Sequence, residues 1–196
     1  PQTSHLAVVG SREMPKGSKE NIENFLPELF VLFLQMYPHA SLSVVSGLTG
    51  GGDAIAHWTT LSQMDKENRL HALGITATSI NHVHKQGDPA LYKALLSVDQ
   101  AGVISEHEPQ KDAIKPQYYD RNRLTVWLAG ATLLYGITKT TSGAMHAMSL
   151  ARWLSRPVFY LEGTTSKPVA AELDKRGCVG LESPEEFIDY FLGLRR

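Results

Sequence analysis

The chain carries a single cysteine, Cys178, in 196 residues. One thiol excludes an intramolecular disulfide and a cysteine-based zinc site. It fits a reducing compartment, so a cytoplasmic protein is expected. Neither sign of charge is in excess: Lys and Arg number 19, Asp and Glu 20, for a net charge of −1. Such a chain is not a basic wrapper of nucleic acid, and phosphate binding would need a local patch. Long apolar runs are missing too. The longest, around residues 25–36, is interrupted by Pro27, Glu28 and Gln35, so no membrane span is expected. The opening PQTSHLAVV has no basic segment followed by an apolar stretch and cleavage site, and no signal peptide is read there. No G-x-x-x-x-G-K-[ST], G-x-G-x-x-G or HExxH motif occurs, which disfavours ATP hydrolysis, hydride transfer and a zinc hydrolase. His71, His82, His84 and His107 are scattered, and a metal site needs three or four convergent ligands. Neither a metal nor a cofactor is expected.

What is present is alternation. Apolar strand-type runs fall at 5–9 (HLAVV), 42–45 (LSVV), 70–75 (LHALGI), 102–105 (GVIS), 131–135 (ATLLY) and 157–161 (PVFYL). Helix-type runs fall between and after them, at 19–36, 52–64, 89–98, 121–128, 142–154 and 183–192. The last of these has a capping signature, Ser183 with Glu186 three residues on. Mostly apolar strands alternating with helices predict a parallel sheet covered on both faces. The fold class expected is therefore α/β, a Rossmann-like doubly wound, mostly parallel sheet with helices on both faces. The whole of 1–196 reads as one such domain. Residues 81–88 and 106–120 read as long loops, and 163–167 (GTTSK) as a polar connection.

Ligands of open α/β sheets collect beyond the carboxyl ends of the strands, where helix N-termini offer free N–H groups. Small and hydroxyl residues cluster at three such ends. They are Gly10, Ser11 and Arg12 after the first strand, Ser46 to Asp53 (SGLTGGGD) after the second, and Lys139 to Gly143 (KTTSG) after the fifth. One glycine turn alone is punctuation, but three at equivalent positions describe a phosphate cradle. Its candidate members are Gly10, Ser11, Arg12, Ser46, Gly47, Gly50, Gly51, Thr141, Ser142 and Gly143. Arg12 is read as a charge-assisted phosphate contact, and Thr141 and Ser142 as helix caps or anion donors.

Read in order, several segments resemble the Rossmann core of the DNA processing protein A (DprA/Smf) family. They are AVVGSR (7–12), SGLTGGGDAIAH (46–57), ISEHEP (104–109), YYDRNRL (118–124), TSGAMHAMSLA (141–151) and SRPVFYLEG (155–163). The resemblance implies a non-catalytic recombination mediator. It would bind single-stranded DNA, dimerise through the Rossmann core and help load a RecA-type recombinase. Many family members also carry an N-terminal helical domain and a C-terminal winged helix, and neither is expected in this chain. Two departures stand out. Gly50 replaces an arginine of the family pattern, removing a phosphate contact, and Glu162 adds a negative charge near the rim. The phosphoribohydrolases of the same superfamily carry PGGxGT and a catalytic Glu, whereas this chain has TTSGAMHAM with no acid at that turn.

The resemblance adds Tyr118, Arg121, Asn122 and Arg123 to the candidate site, and Lys115 joins them as a basic residue near the aromatics Tyr118 and Tyr119. A basic residue beside an aromatic suits single strands, the charge following phosphate and the ring stacking a base. Two readings of the arginines stand. Either one faces the ligand while the other pairs with an acid such as Glu106, or both structure the turn. Asp53 is read as a helix cap and His57 as packing or bonding locally. Trp127, Trp153, Met145 and Met148 are read as helix packing residues. His146 lies one turn beyond Ser142, a spacing that does not make a catalytic dyad. The alternative function is a sensor of a nucleotide or nucleotide-derived ligand on the same cradle.

Overall fold

The computed structural model describes residues 3–64, 67–81, 88–108 and 115–193. His82 and His84, and the side chain of Lys115, lie outside the described parts. The strands are β1 (Thr3–Gly10), β2 (Ser41–Gly47), β3 (Leu70–Ile75), β4 (Ala101–Ile104), β5 (Ala131–Tyr135), β6 (Val158–Leu161) and β7 (Val179–Leu181). The helices are α1 (Ser18–Met36), α2 (Gly52–Ser62), α3 (Pro89–Leu96), α4 (Lys115–Trp127), α5 (Gly143–Trp153), α6 (Lys167–Lys175) and α7 (Pro184–Gly193). All seven strands are parallel, in the order β4-β3-β2-β1-β5-β6-β7.

Both faces of the sheet are covered, as its apolar strands require. Alternate residues of a strand point to opposite faces, so Leu6 and Val8 of β1 enter one core while Val9 enters the other. The first core packs Ile22, Phe25, Leu26, Leu29 and Phe30 of α1 and Phe187 of α7 onto β1, β2 and β5. The second packs Met145, Ala147 and Met148 of α5 and Leu173 of α6 onto Leu134, Val158 and Tyr160. A smaller cluster joins Leu91 and Leu95 of α3 to Ala72 and Val103. Cys178 lies in the second core, and burial pushes its thiol up to about 11, so it is held protonated.

The structure departs from the sequence reading in four places. α4 begins at Lys115, inside the expected 106–120 loop, because its first turns are polar and face a cleft, leaving no apolar periodicity to read. A further helix and strand, α6 and β7, follow the expected polar connection. α6 buries only Val169 and Leu173, and β7 has three residues. Trp127 and Trp153 are not packing residues. They stand 60% and 80% exposed at the C-terminal ends of α4 and α5, past the apolar stripe that holds Met145 and Met148 in the core. The Glu186 carboxylate accepts from the Glu182 amide at 2.8 Å, one residue before the expected capping partner Ser183.

The strand order reverses at β1. Chain order runs outward on one side through β2, β3 and β4, then returns so that β5 pairs with the other edge of β1. A doubly wound sheet opens a crevice at the carboxyl ends of such a pair, because the flanking helices diverge to opposite faces.

Candidate functional site

A cleft of about 620 Å³ lies at that point. The loop after β1 supplies Gly10, Ser11, Arg12 and Glu13, and the loop after β5 supplies Thr138, Lys139, Ser142 and Gly143. α4 closes one side with Tyr118, Tyr119, Arg121 and Asn122, and Thr49 and Asp53 complete the wall.

Arg12 is exposed, and its guanidinium carbon lies 5.2 Å from the centroid of the Tyr118 ring. That cation–π contact holds a long cationic side chain at the mouth of the cleft without neutralising it. Tyr118 is half-buried, and its hydroxyl is buried with no hydrogen-bond partner. Desolvation raises its pKa, against the opposing pull of Arg12 and Arg121, so the phenol stays neutral. Lys139 is exposed and lies 3.8 Å from Glu13, a pair so solvated that it scarcely restrains either group.

α5 begins at the floor. Ser142 is its N-cap, with extended backbone and a side chain accepting from the Met145 amide at 3.4 Å. The next amides, of Gly143 and Ala144, are first-turn donors with no intrahelical acceptor, and both residues line the cleft. A helix start flanked by two cations suits an anion. The expected capping role of Ser142 is thus observed. The ring of His146 is set edge-on to Tyr119 at 5.4 Å between centroids.

The loop after β2 is built differently, although its composition is similar. The Ser46 hydroxyl is fully buried and donates to the Val8 carbonyl at 2.6 Å. Gly47 lies beneath the Arg121 guanidinium, and a Cβ there would meet Nη1 at 1.6 Å. Gly52 and Gly10 approach back to back, a Cβ on Gly52 falling 2.4 Å from the Gly10 Cα. Gly51 has φ +83° and sits against the Arg12 backbone. Gly50 is exposed with open space around it. Ser46, Gly47, Gly50 and Gly51 therefore do not line the cleft, and three of these four serve packing.

Asp53 is not a cap. The N-cap of α2 is Gly51, and the Asp53 carboxylate, 4% exposed, accepts from Thr49 Oγ1 at 2.7 Å and from Arg121 Nη2 at 3.5 Å. Arg121 Nη1 also donates to the Ile75 carbonyl at 3.2 Å. Its neighbour Asn122 donates to the Gly143 carbonyl at 3.1 Å. Arg123, on the opposite side of α4, is exposed and paired with Glu106. The expected Glu106 partnership is thus observed, and the other arginine is buried in an ion pair. His57 is wholly buried, and its Nε2 donates to the Gly47 carbonyl at 3.0 Å, the local bonding expected of it. Desolvation lowers its pKa to about 4, so it is neutral.

Of the sequence-predicted residues, the cleft gathers Gly10, Ser11, Arg12, Tyr118, Arg121, Asn122, Ser142 and Gly143. Thr141 and Arg123 stand outside it. Sequence reasoning did not select Lys139, Thr49 or Tyr119, though Lys139 belongs to a strand-end loop and Tyr119 adjoins Tyr118. Among the described residues, no cluster of three His, Cys, Asp or Glu side chains could hold a metal. No described helix is long and apolar enough to cross a membrane.

Solved structures share this fold. DNA processing protein A from Streptococcus pneumoniae superposes with a TM-score of 0.77 at 21% identity, over 95% of this chain and 61% of that one. The Helicobacter pylori protein, described by its single-stranded DNA binding mode, gives 0.74 at 23%, over 97% and 80%. The molybdenum cofactor carrier protein of Chlamydomonas reinhardtii gives 0.60 at 14%, over 98% of each chain, a likeness of fold alone. This chain thus spans about three fifths of the length of the pneumococcal protein. No curated protein matches it significantly. The sequence profile of the DNA recombination-mediator protein A family matches residues 1–183, and with the switch-point fold and the segments that first suggested it, the chain belongs to that family.

Proposed function

We propose that this chain binds single-stranded DNA across the β1/β5 cleft and acts as a non-catalytic recombination mediator. One observation carries the reading. Arg12, with no carboxylate in ion-pair range among the described residues, is held by the Tyr118 ring beside the open N-terminus of α5. Cation, aromatic face and helix start are the parts a flexible polyanion with exposed bases needs. With a net charge of −1, affinity must come from these few groups, so its salt dependence is modest. A RecA-type recombinase as partner, a homodimer and the cytoplasm as location belong to the same proposal.

The test is fluorescence anisotropy with labelled oligo-dT at low and moderate salt, with duplex and nucleotide competitors. Salt-sensitive binding preferred over duplex, weakened in Arg12→Ala, is expected. No binding at low salt would remove the reading. A second reading is favoured by the cleft's volume, which at about 620 Å³ is that of a small-molecule site. A nucleotide held there would raise Tm with concentration by mass action. Thermal shift with nucleotides and no response to oligo-dT would make it the better account.

A further inference from the structure

We propose that Arg121 is a positioning residue: it holds α4 over the cleft, and it acts on bound single-stranded DNA through Tyr118 and Asn122 rather than by touching phosphate. The inference rests on the single-stranded DNA reading of the cleft and says how its α4 wall is held.

Both terminal nitrogens of the guanidinium are engaged before any ligand arrives, while its Nε is buried without a hydrogen-bond partner. Nη1 donates to the Ile75 carbonyl at the end of β3, and Nη2 to Asp53 at the start of α2. Asp53 is itself held by Thr49. The group lies against Gly47, at the end of β2, where no side chain could fit. One side chain of α4 is thus tied to the ends of two strands and the start of a helix, and is 6% exposed. The residues that reach the ligand side are set by it. Tyr118 lies three residues earlier on the same face of α4 and carries Arg12. Asn122 is the next residue and is bonded to the start of α5. The N-terminal turns of α4 are polar, so apolar burial does little to keep them in place.

A direct phosphate contact and a positioning role differ in salt dependence. Loss of a phosphate contact lowers the slope of log K against log salt by about 0.7 for a single strand, whereas misplacing the partners lowers K at every salt concentration. They also differ in additivity. A residue acting through Tyr118 adds little once Tyr118 is gone, while an independent contact adds its full effect.

The experiment measures oligo-dT affinity from low to moderate salt for the full chain and for Arg12→Ala, Arg121→Met, Tyr118→Leu and the Arg121→Met/Tyr118→Leu pair. Asp53→Asn loosens the same ion pair without touching α4 and serves if Arg121→Met does not fold. Hydrogen exchange of the 115–123 amides is followed in parallel without DNA. The expected result is a fall of tenfold or more in affinity for Arg121→Met, with the wild-type salt slope, no further fall in the double variant, and faster exchange confined to 115–123. Arg12→Ala alone flattens the slope. A slope flattened by Arg121→Met, additivity with Tyr118→Leu, or unchanged exchange would overturn the proposal. If wild-type protein ignores oligo-dT the DNA reading fails, and the exchange measurement still decides whether Arg121 holds α4.

Discussion

Two strand-end loops of similar composition have opposite fates. The loop after β2 and the loop after β5 are both rich in glycine and hydroxyl side chains. The first is folded inward. Ser46 bonds to β1, Gly47 lies under a guanidinium, and Gly52 meets Gly10. The second is left open, with Thr138, Lys139, Thr140 and Thr141 exposed and the α5 amides facing the cleft. The difference lies in what sits above each loop. α4 delivers Arg121 onto the first, while the second faces the gap at which the strand order reverses. A glycine can admit a ligand or admit a neighbouring side chain, and only the fold distinguishes the two.

The comparison breaks most sharply at Gly47. Gly47→Ala drives a methyl into the Arg121 guanidinium and Asp53 carboxylate, and should cost on the order of 3 kcal/mol or more. Gly50→Ala, a few residues on in open space, should stay within about 0.5 kcal/mol. Urea unfolding of both variants checks this, and equal midpoints would refute the inward packing.

His57 tests how well the first loop is sealed. Its pKa is about 4 in the fold against an ordinary 6.5. Between those values the unfolded chain takes up a proton that the folded chain refuses. The contribution is therefore complete above pH 6.5 and is lost as pH falls toward 4, amounting to about 3 kcal/mol. Stability measured against pH should fall over that window in the wild type and less steeply in His57→Gln. Parallel curves would show that the histidine is not buried as described.

The open loop should respond more weakly in stability. Ser142→Ala removes the α5 cap, at about 1 kcal/mol. Lys139→Ala, at an exposed position, should leave Tm unchanged and lower the salt slope of oligo-dT binding by about 0.7. A Tm loss in Lys139→Ala larger than in Ser142→Ala would reverse the comparison.

Much of this was legible in the sequence. β3 and β5 fall at their expected residues, β5 as an apolar run buried on both faces and β3 as a mostly apolar run with one face half-exposed. Arg12 was legible as a residue at the end of the first strand. The inward turn of Ser46 and Gly47 was not, since it depends on Arg121, a distant residue whose partner cannot be read from spacing. The Arg123–Glu106 pair was among the alternatives, because RNR places two arginines on different faces of a helix. The early start of α4 was hidden because its first turns are polar and line a cleft instead of a core.

On the proposed function, ligand meets the β1/β5 side of the strand ends, with Thr49 at its edge, and not the inward-folded Ser46 and Gly47. Titrating oligo-dT into isotope-labelled protein and following backbone amide shifts tests it most directly. The account predicts shifts at Ser11, Arg12, Tyr118, Lys139, Gly143 and Ala144, with Ser46 and Gly47 nearly still. Shifts centred on Ser46 and Gly47, or spread over a face remote from the cleft, would contradict it.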